Sequence, residues 1–138
     1  MFNKEAKPEF FNNLSKGHFP GELGIVVTEV EDGRMCGEME VRKEIMAPNG
    51  YIHAGSLVTF ADSLAGYATV AHLPEGGKLF TTLELKSNFI KTVKNGTLLC
   101  ECVAEHLGKS THVWRAVITE KETGKKLALF SCTQLILY

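Results

Sequence analysis

Asp62 is the only charged residue between His53 and His72. Its neighbours, Ala54 to Ala61 and Ser63 to Ala71, are apolar, small or hydroxylic. The segment is too evenly apolar for a surface helix and predicts a helix buried on most sides. A carboxylate there loses hydration, which costs free energy unless a partner or a chemical task offsets it. Just upstream, Pro48-Asn49-Gly50-Tyr51-Ile52-His53-Ala54-Gly55 predicts a tight loop that delivers a histidine and small residues to the helix start. A lone acid two turns below such a helix start is the outline of an active site. The acid can serve as nucleophile or as general base. The plainer alternative is a buried polar residue satisfied by the Thr59 or Ser63 hydroxyls, or by a residue across an interface.

The elements that must position these residues follow from punctuation and periodicity. Pro8 to Lys16 predicts a short helix with Phe10, Phe11 and Leu14 on one side, stopped by Gly17. Leu23 to Glu31 reads as a strand, and Asp32-Gly33 as a hairpin turn. Arg34 to Lys43 alternates, with Met35, Gly37, Met39 and Val41 on one face. The long helix ends near His72-Leu73-Pro74, and Gly76-Gly77 completes the break. Four strands follow. Leu79 to Ile90 sets Leu83, Leu85 and Phe89 against Glu84, Lys86 and Asn88. Thr97 to His106, Thr111 to Glu120 and Leu127 to Leu137 come after turns at Asn95-Gly96, Leu107-Gly108-Lys109 and Thr123-Gly124. This order predicts an α+β fold: a curved antiparallel sheet of about six strands wrapped around one long buried helix, with a short N-terminal helix. The helix's remaining apolar face and the sheet edges call for a partner subunit.

Bulk properties narrow the class. The chain has 138 residues, the size of one domain, and 44% of them are hydrophobic, enough for a compact core. Its 15 basic and 16 acidic residues nearly balance, which argues against nucleic-acid binding. The four cysteines, Cys36, Cys100, Cys102 and Cys132, lack CxxC spacing and read as small apolar thiols in a reducing compartment. The charged N-terminus lacks a signal-peptide stretch, and Asp62 argues against a membrane span, so a cytoplasmic location is expected. The five histidines have no ligand spacing, so neither metal nor cofactor is expected.

The run from Pro48 to Ser56, followed by Leu57-Val58-Thr59-Phe60-Ala61-Asp62-Ser63, resembles the hotdog-fold acyl-CoA thioesterases. The likeness is to the phenylacetate-pathway type, related to one group of 4-hydroxybenzoyl-CoA thioesterases. That family's pattern is an Asn, then His-Gly-Gly, then an Asp or Glu about two helical turns later. Asn88-Phe89-Ile90-Lys91 resembles its third-strand ending, and Gly124 to Leu137 its last hairpin. Two departures stand out: His53-Ala54-Gly55 replaces His-Gly-Gly, and Asn49 lies closer to the histidine than the family's Asn.

The resemblance implies a hotdog domain that hydrolyses a small aryl- or medium-chain acyl-CoA. Asp62 is then nucleophile or base, and the first helix amides, at Ala54 and Gly55, receive the carbonyl oxygen. An amide suits that task because the helix N-terminus carries unpaired N–H groups and the positive dipole end. His53 either orients the thioester or caps the loop. Asn49 fills the family's Asn role if the loop is shortened. Thr82, or Thr81 after a one-residue slip, orients water. Lys91, Lys94, Lys109 and Arg115 are candidates for coenzyme A phosphates, with Ser110 in a loop whose amides can approach them. Leu57, Phe60, Tyr67 and Phe80 are candidate pocket walls. The family also implies a dimer, paired into a homotetramer, with the helix of one subunit and strand residues such as Thr82 of the other forming each site. His18-Phe19-Pro20-Gly21 matches a string of hotdog dehydratases, but it precedes a strand rather than the central helix and reads as a coincidence of turn residues. Competing functions are an acyl-CoA hydratase or dehydratase of the same fold, and a non-catalytic acyl-CoA-binding domain.

Overall fold

The computed structural model describes residues 1–138. The elements are α1 (Pro8–Ser15), α2 (Phe19–Glu22), β1 (Val26–Glu31), β2 (Arg34–Glu40), a 3₁₀ turn (Lys43–Ile45), α3 (Ala54–Ala71), β3 (Leu79–Phe89), β4 (Thr97–Leu107), β5 (Thr111–Glu120) and β6 (Lys126–Leu137). The strands form one antiparallel sheet in the order β1-β2-β4-β5-β6-β3. This is the hotdog arrangement, with α3 as the filling. No helix is long and apolar enough to cross a membrane.

Period-two alternation puts Met35 and Met39 of β2, Leu98, Cys100 and Cys102 of β4, and Trp114, Ala116 and Ile118 of β5 into the core. They meet Leu57, Phe60, Ala61, Leu64, Ala65 and Ala68 of α3. The helix approaches β2 closely where Gly37 has no side chain. A Cβ there would meet Val26 O at 2.9 Å and Leu64 Cδ2 at 3.0 Å. Trp114 Nε1 donates to Thr69 Oγ1 at 2.8 Å, fixing the rotation of α3 against β5. The Asp32-Gly33 turn joins β1 to β2, with Gly33 at φ 73° as a tight hairpin requires.

Several expectations need correction. In α1 only Phe11 enters the core, against Tyr67, while Phe10 and Leu14 stay exposed. The first strand starts at Val26 rather than Leu23, because residues 19–22 form α2. The alternation in β3 does not mark a buried face. β3 is the sheet's edge, bulged between Thr82 and Glu84, and Leu83, Leu85 and Phe89 are all exposed. Period two reports pleating, and burial requires something on top.

Candidate active site

The loop before α3 is held by its own backbone. The Ala47 amide donates to Tyr51 O, the Gly50 amide to Ala47 O, and Met46 bridges Ile52. Asn49 Oδ1 accepts the Tyr51 amide at 3.1 Å, so Asn49 serves as a turn former at an exposed loop tip and is not brought to the site. The Ile52 amide donates to Val93 O, and Ser56 Oγ donates to Ile45 O at 2.8 Å. These ties set the helix start against the β3–β4 connection and the 3₁₀ turn.

His53 is the N-cap of α3, and its Nδ1 accepts the Gly55 amide at 2.8 Å. Its carbonyl accepts the Ser56 amide at 2.9 Å. Of the two amides expected to receive an oxyanion, Gly55 is therefore occupied within the cap. Ala54 keeps a free, exposed N–H with no partner. His53 caps the helix through Nδ1, which orients the helix tip and leaves one donor open beside it, and the cap does not engage its Nε2.

A cleft of about 320 Å³ opens at this tip. Its walls include Phe19, Leu23, Ile45 and Met46, with His53 and Thr59 at its polar side. Phe19 belongs to the His18-Phe19-Pro20-Gly21 string, of which Phe19 to Gly21 lie in the short helix α2 beside the cleft. Of the expected pocket walls, Leu57 and Phe60 face the core instead. Tyr67 is tied by its hydroxyl to Ser15 Oγ at 2.5 Å. Phe80 lies over Gly66, where an added Cβ would meet its ring at 2.7 Å.

Asp62 lies on the less covered stripe of α3 that runs through Gly55 and Thr59 at helical spacing, and Phe80 covers that stripe one turn further on, at Gly66. It is half-buried, and burial pushes its carboxyl above the ordinary aspartate value; the Thr82 hydroxyl oxygen stands 3.5 Å from Oδ1. Thr82 and not Thr81 faces the helix, since Thr81 points to solvent on the other side of β3. Thr82 approaches Asp62 of its own chain, which corrects the expectation that it arrives from another subunit. About 12 Å of helix rise separates Ala54 from Asp62, and the side chain leans back toward the tip by only part of that. A carbonyl held by one group and attacked by the other spans about 7 Å.

The basic candidates separate. Lys91 and Lys94 lie at the tip end of the sheet, Lys94 Nζ standing 4.7 Å over the Tyr51 ring. Lys109 and Ser110 lie at the opposite end of β6, where Tyr138 Oη donates to Lys109 O and the Ile136 amide to Ser110 O. Strands of this length keep the two groups roughly 30 Å apart, so one chain cannot apply both to one phosphate. Arg115 pairs with Glu105 at 2.6 Å. No three His, Cys, Asp or Glu side chains converge to hold a metal ion.

Sequence reasoning missed Gln134, which is wholly buried and accepts the Thr82 hydroxyl at 2.8 Å. The signal was present: Gln134 stands alone among Phe130, Cys132 and Ile136 on the inward face of the last strand.

Comparison with known proteins extends the picture. Residues 49–127 match the profile of the thioesterase superfamily. The chain is similar to the 1,4-dihydroxy-2-naphthoyl-CoA hydrolase of Listeria monocytogenes, 32% identical over 111 residues that cover 80% of this chain and 89% of that one. It is similar to the proofreading thioesterase EntH of Klebsiella pneumoniae, 28% identical with 88% of each chain covered. In structure it is similar to a mutant thioesterase from Pseudomonas aeruginosa, with a TM-score of 0.92, 25% identity, and 99% of this chain and 97% of that one covered.

Proposed function

The chain belongs to the thioesterase superfamily and is a thioester hydrolase, and from that premise we propose that it cleaves small aryl- or medium-chain acyl-CoA thioesters with Asp62 as the reacting carboxylate. The observation that carries this reading is a helix with an unpaired N–H at its exposed tip and a half-buried acid two turns below. The thioester carbonyl accepts the Ala54 amide, aided by the helix dipole. Asp62 attacks the carbonyl carbon or takes a proton from the water that does. On the first route the C–S bond breaks to leave a mixed anhydride on Asp62, which water then hydrolyses to the free acid and Asp62. On the second, water adds to the carbonyl and the C–S bond breaks directly. On both, coenzyme A leaves as its thiolate and is protonated. Raised basicity of Asp62 favours either form of attack.

The separation along α3 calls for two copies. If a second helix runs antiparallel beside the first, the acid of one stands by the amide tip of the other. The exposed edge strand β3 supports such a dimer, with Leu79 65%, Leu83 56% and Phe89 49% exposed. The naphthoyl-CoA substrate named for the Listeria relative, and the apolar walls Phe19, Leu23, Ile45 and Met46, support an aromatic or medium acyl group. Lys91 and Lys94, on the cleft side, are the favoured phosphate contacts; Lys109 and Ser110 would serve only across subunits.

The test is Asp62→Asn against a panel of acyl- and aryl-CoA thioesters, with enoyl-CoA hydration assayed alongside. Loss of hydrolysis by about 10²-fold or more is expected. Activity within a few-fold of the parent, or hydration exceeding hydrolysis, rejects the assignment. Single turnover in ¹⁸O-water then identifies the nucleophilic role where the product acid gains unlabelled oxygen, which only an anhydride opened at the Asp62 carbonyl supplies.

A further inference from the structure

Gln134 is the one fully buried side-chain amide in the molecule. Its Oε1 accepts the Thr82 hydroxyl at 2.8 Å, and its Nε2 donates to Cys132 Sγ at 3.4 Å. The same Thr82 oxygen stands 3.5 Å from Asp62 Oδ1. A threonine hydroxyl has one proton to donate. With 2.8 Å against 3.5 Å, that proton goes to Gln134, and Asp62 faces an oxygen whose hydrogen points away. We propose that Gln134 is a positioning residue for Asp62: by claiming the Thr82 proton, it withholds a hydrogen bond from the carboxylate and keeps it a stronger base. The inference rests on Asp62 being the carboxylate of the reaction.

No other group near Asp62 is placed to set its basicity. α3 carries no second charge between His53 and His72. On β6, burial pushes the Cys132 thiol up to about 12, so it is neutral. On β5, burial lowers His112 to about 4, so it too is neutral near pH 7, and Glu120 caps the following turn through Thr123. The Cys100 and Cys102 thiols of β4 are held neutral by burial. Beyond the β3 bulge, Glu84 accepts the Thr133 hydroxyl at 2.7 Å. Glu29, Arg34 and Glu38 of β1 and β2 pair with one another or with Lys121 on the opposite face of the sheet. Glu22, on α2, does not line the cleft, and Glu44, which does, pairs with Arg42 at 3.4 Å.

The chain holds two aspartates, Asp32 and Asp62, so protein labelled with ¹³C at the aspartate carboxyl gives two signals and Asp62→Asn assigns them. In Gln134→Met the freed Thr82 hydroxyl turns to Asp62, and the Asp62 titration falls by about one pH unit. The acid limb of kcat/KM falls with it. Adding Thr82→Val to Gln134→Met removes that displacement, because the effect passes through the hydroxyl. An Asp62 titration that is unmoved or raised in Gln134→Met overturns the proposal, since the amide would then be donating to Thr82. If Gln134→Met does not fold, Thr82→Val alone decides: a small change supports the proposal, and a rise of about a unit, meaning that the proton sat on Asp62, overturns it. Because the titration is read without turnover, failure here is separate from failure of the functional reading. Parent-like hydrolysis by Asp62→Asn sinks the latter whatever the signals do.

Discussion

Replacing Ala54 by proline deletes one N–H and almost nothing else. The Ala54 amide has no partner, so no hydrogen bond within the protein is lost. Position N1 of a helix accepts proline readily, because its fixed φ is already helical. The preceding residue must be extended, and His53, at φ −69° and ψ 134°, already is. The His53–Gly55 cap is formed by the next amide and stays intact. Stability should therefore change by less than about 1 kcal/mol. Catalysis should not be spared. Loss of a single oxyanion donor costs roughly 3–4 kcal/mol, a fall in kcat of about 10²–10³-fold. Ala54→Gly keeps the N–H and should remain within a few-fold of the parent. The assay is single-turnover hydrolysis of an aryl-CoA, beside a thermal melt for each variant. A folded Ala54→Pro protein that hydrolyses within about threefold of the parent would refute the claim that this amide receives the oxyanion.

Two further outcomes follow from the same geometry. Burial raises the Asp62 carboxyl above its unfolded value, so the native state binds that proton more tightly than the unfolded chain does. The charged acid is therefore a destabilising element at neutral pH, and its unfavourable effect disappears as pH falls below the ordinary aspartate value. Asp62→Asn should raise Tm at pH 7 while abolishing activity, with the gain shrinking toward pH 4; a lowered Tm at pH 7 contradicts it. Leu83→Lys, on the exposed edge of β3, puts a charge on the apolar strand offered to a second copy. Sedimentation at micromolar concentration should show the parent as a dimer or larger and the variant shifted to the monomer, with hydrolysis falling in step; a parent that sediments as a monomer rejects the two-copy site.

Much of the fold could be read along the chain because the signals are local. The long helix was expected over Ala54 to Ala71 and is found there, since a polar-poor run between a histidine cap and a Pro-Gly break has no competing structure. Turns at Asp32-Gly33, Asn95-Gly96 and Thr123-Gly124 likewise follow from glycines that supply positive φ. The short helix α2 was missed, because four residues carry too little periodicity to register.

The sequence by itself determined which residues are candidates for the chemistry: a solitary acid, a histidine and small residues at a helix start, spaced by helical turns. Tertiary structure decided how each is used. His53 could not be assigned to the cap, nor Ala54 singled out over Gly55, until the ring nitrogen was seen to take one amide and leave the other. Thr82 was separated from Thr81 only by the pleat of an edge strand, and Gln134 joined the site only because β6 lies between β5 and β3. Lys91 and Lys109 looked equivalent on paper until the sheet set them at opposite ends. The reason is physical. Helix spacing and turn chemistry act over a few residues and are written in order along the chain, whereas hydrogen-bond partners are chosen by distance, which depends on packing between segments far apart in sequence.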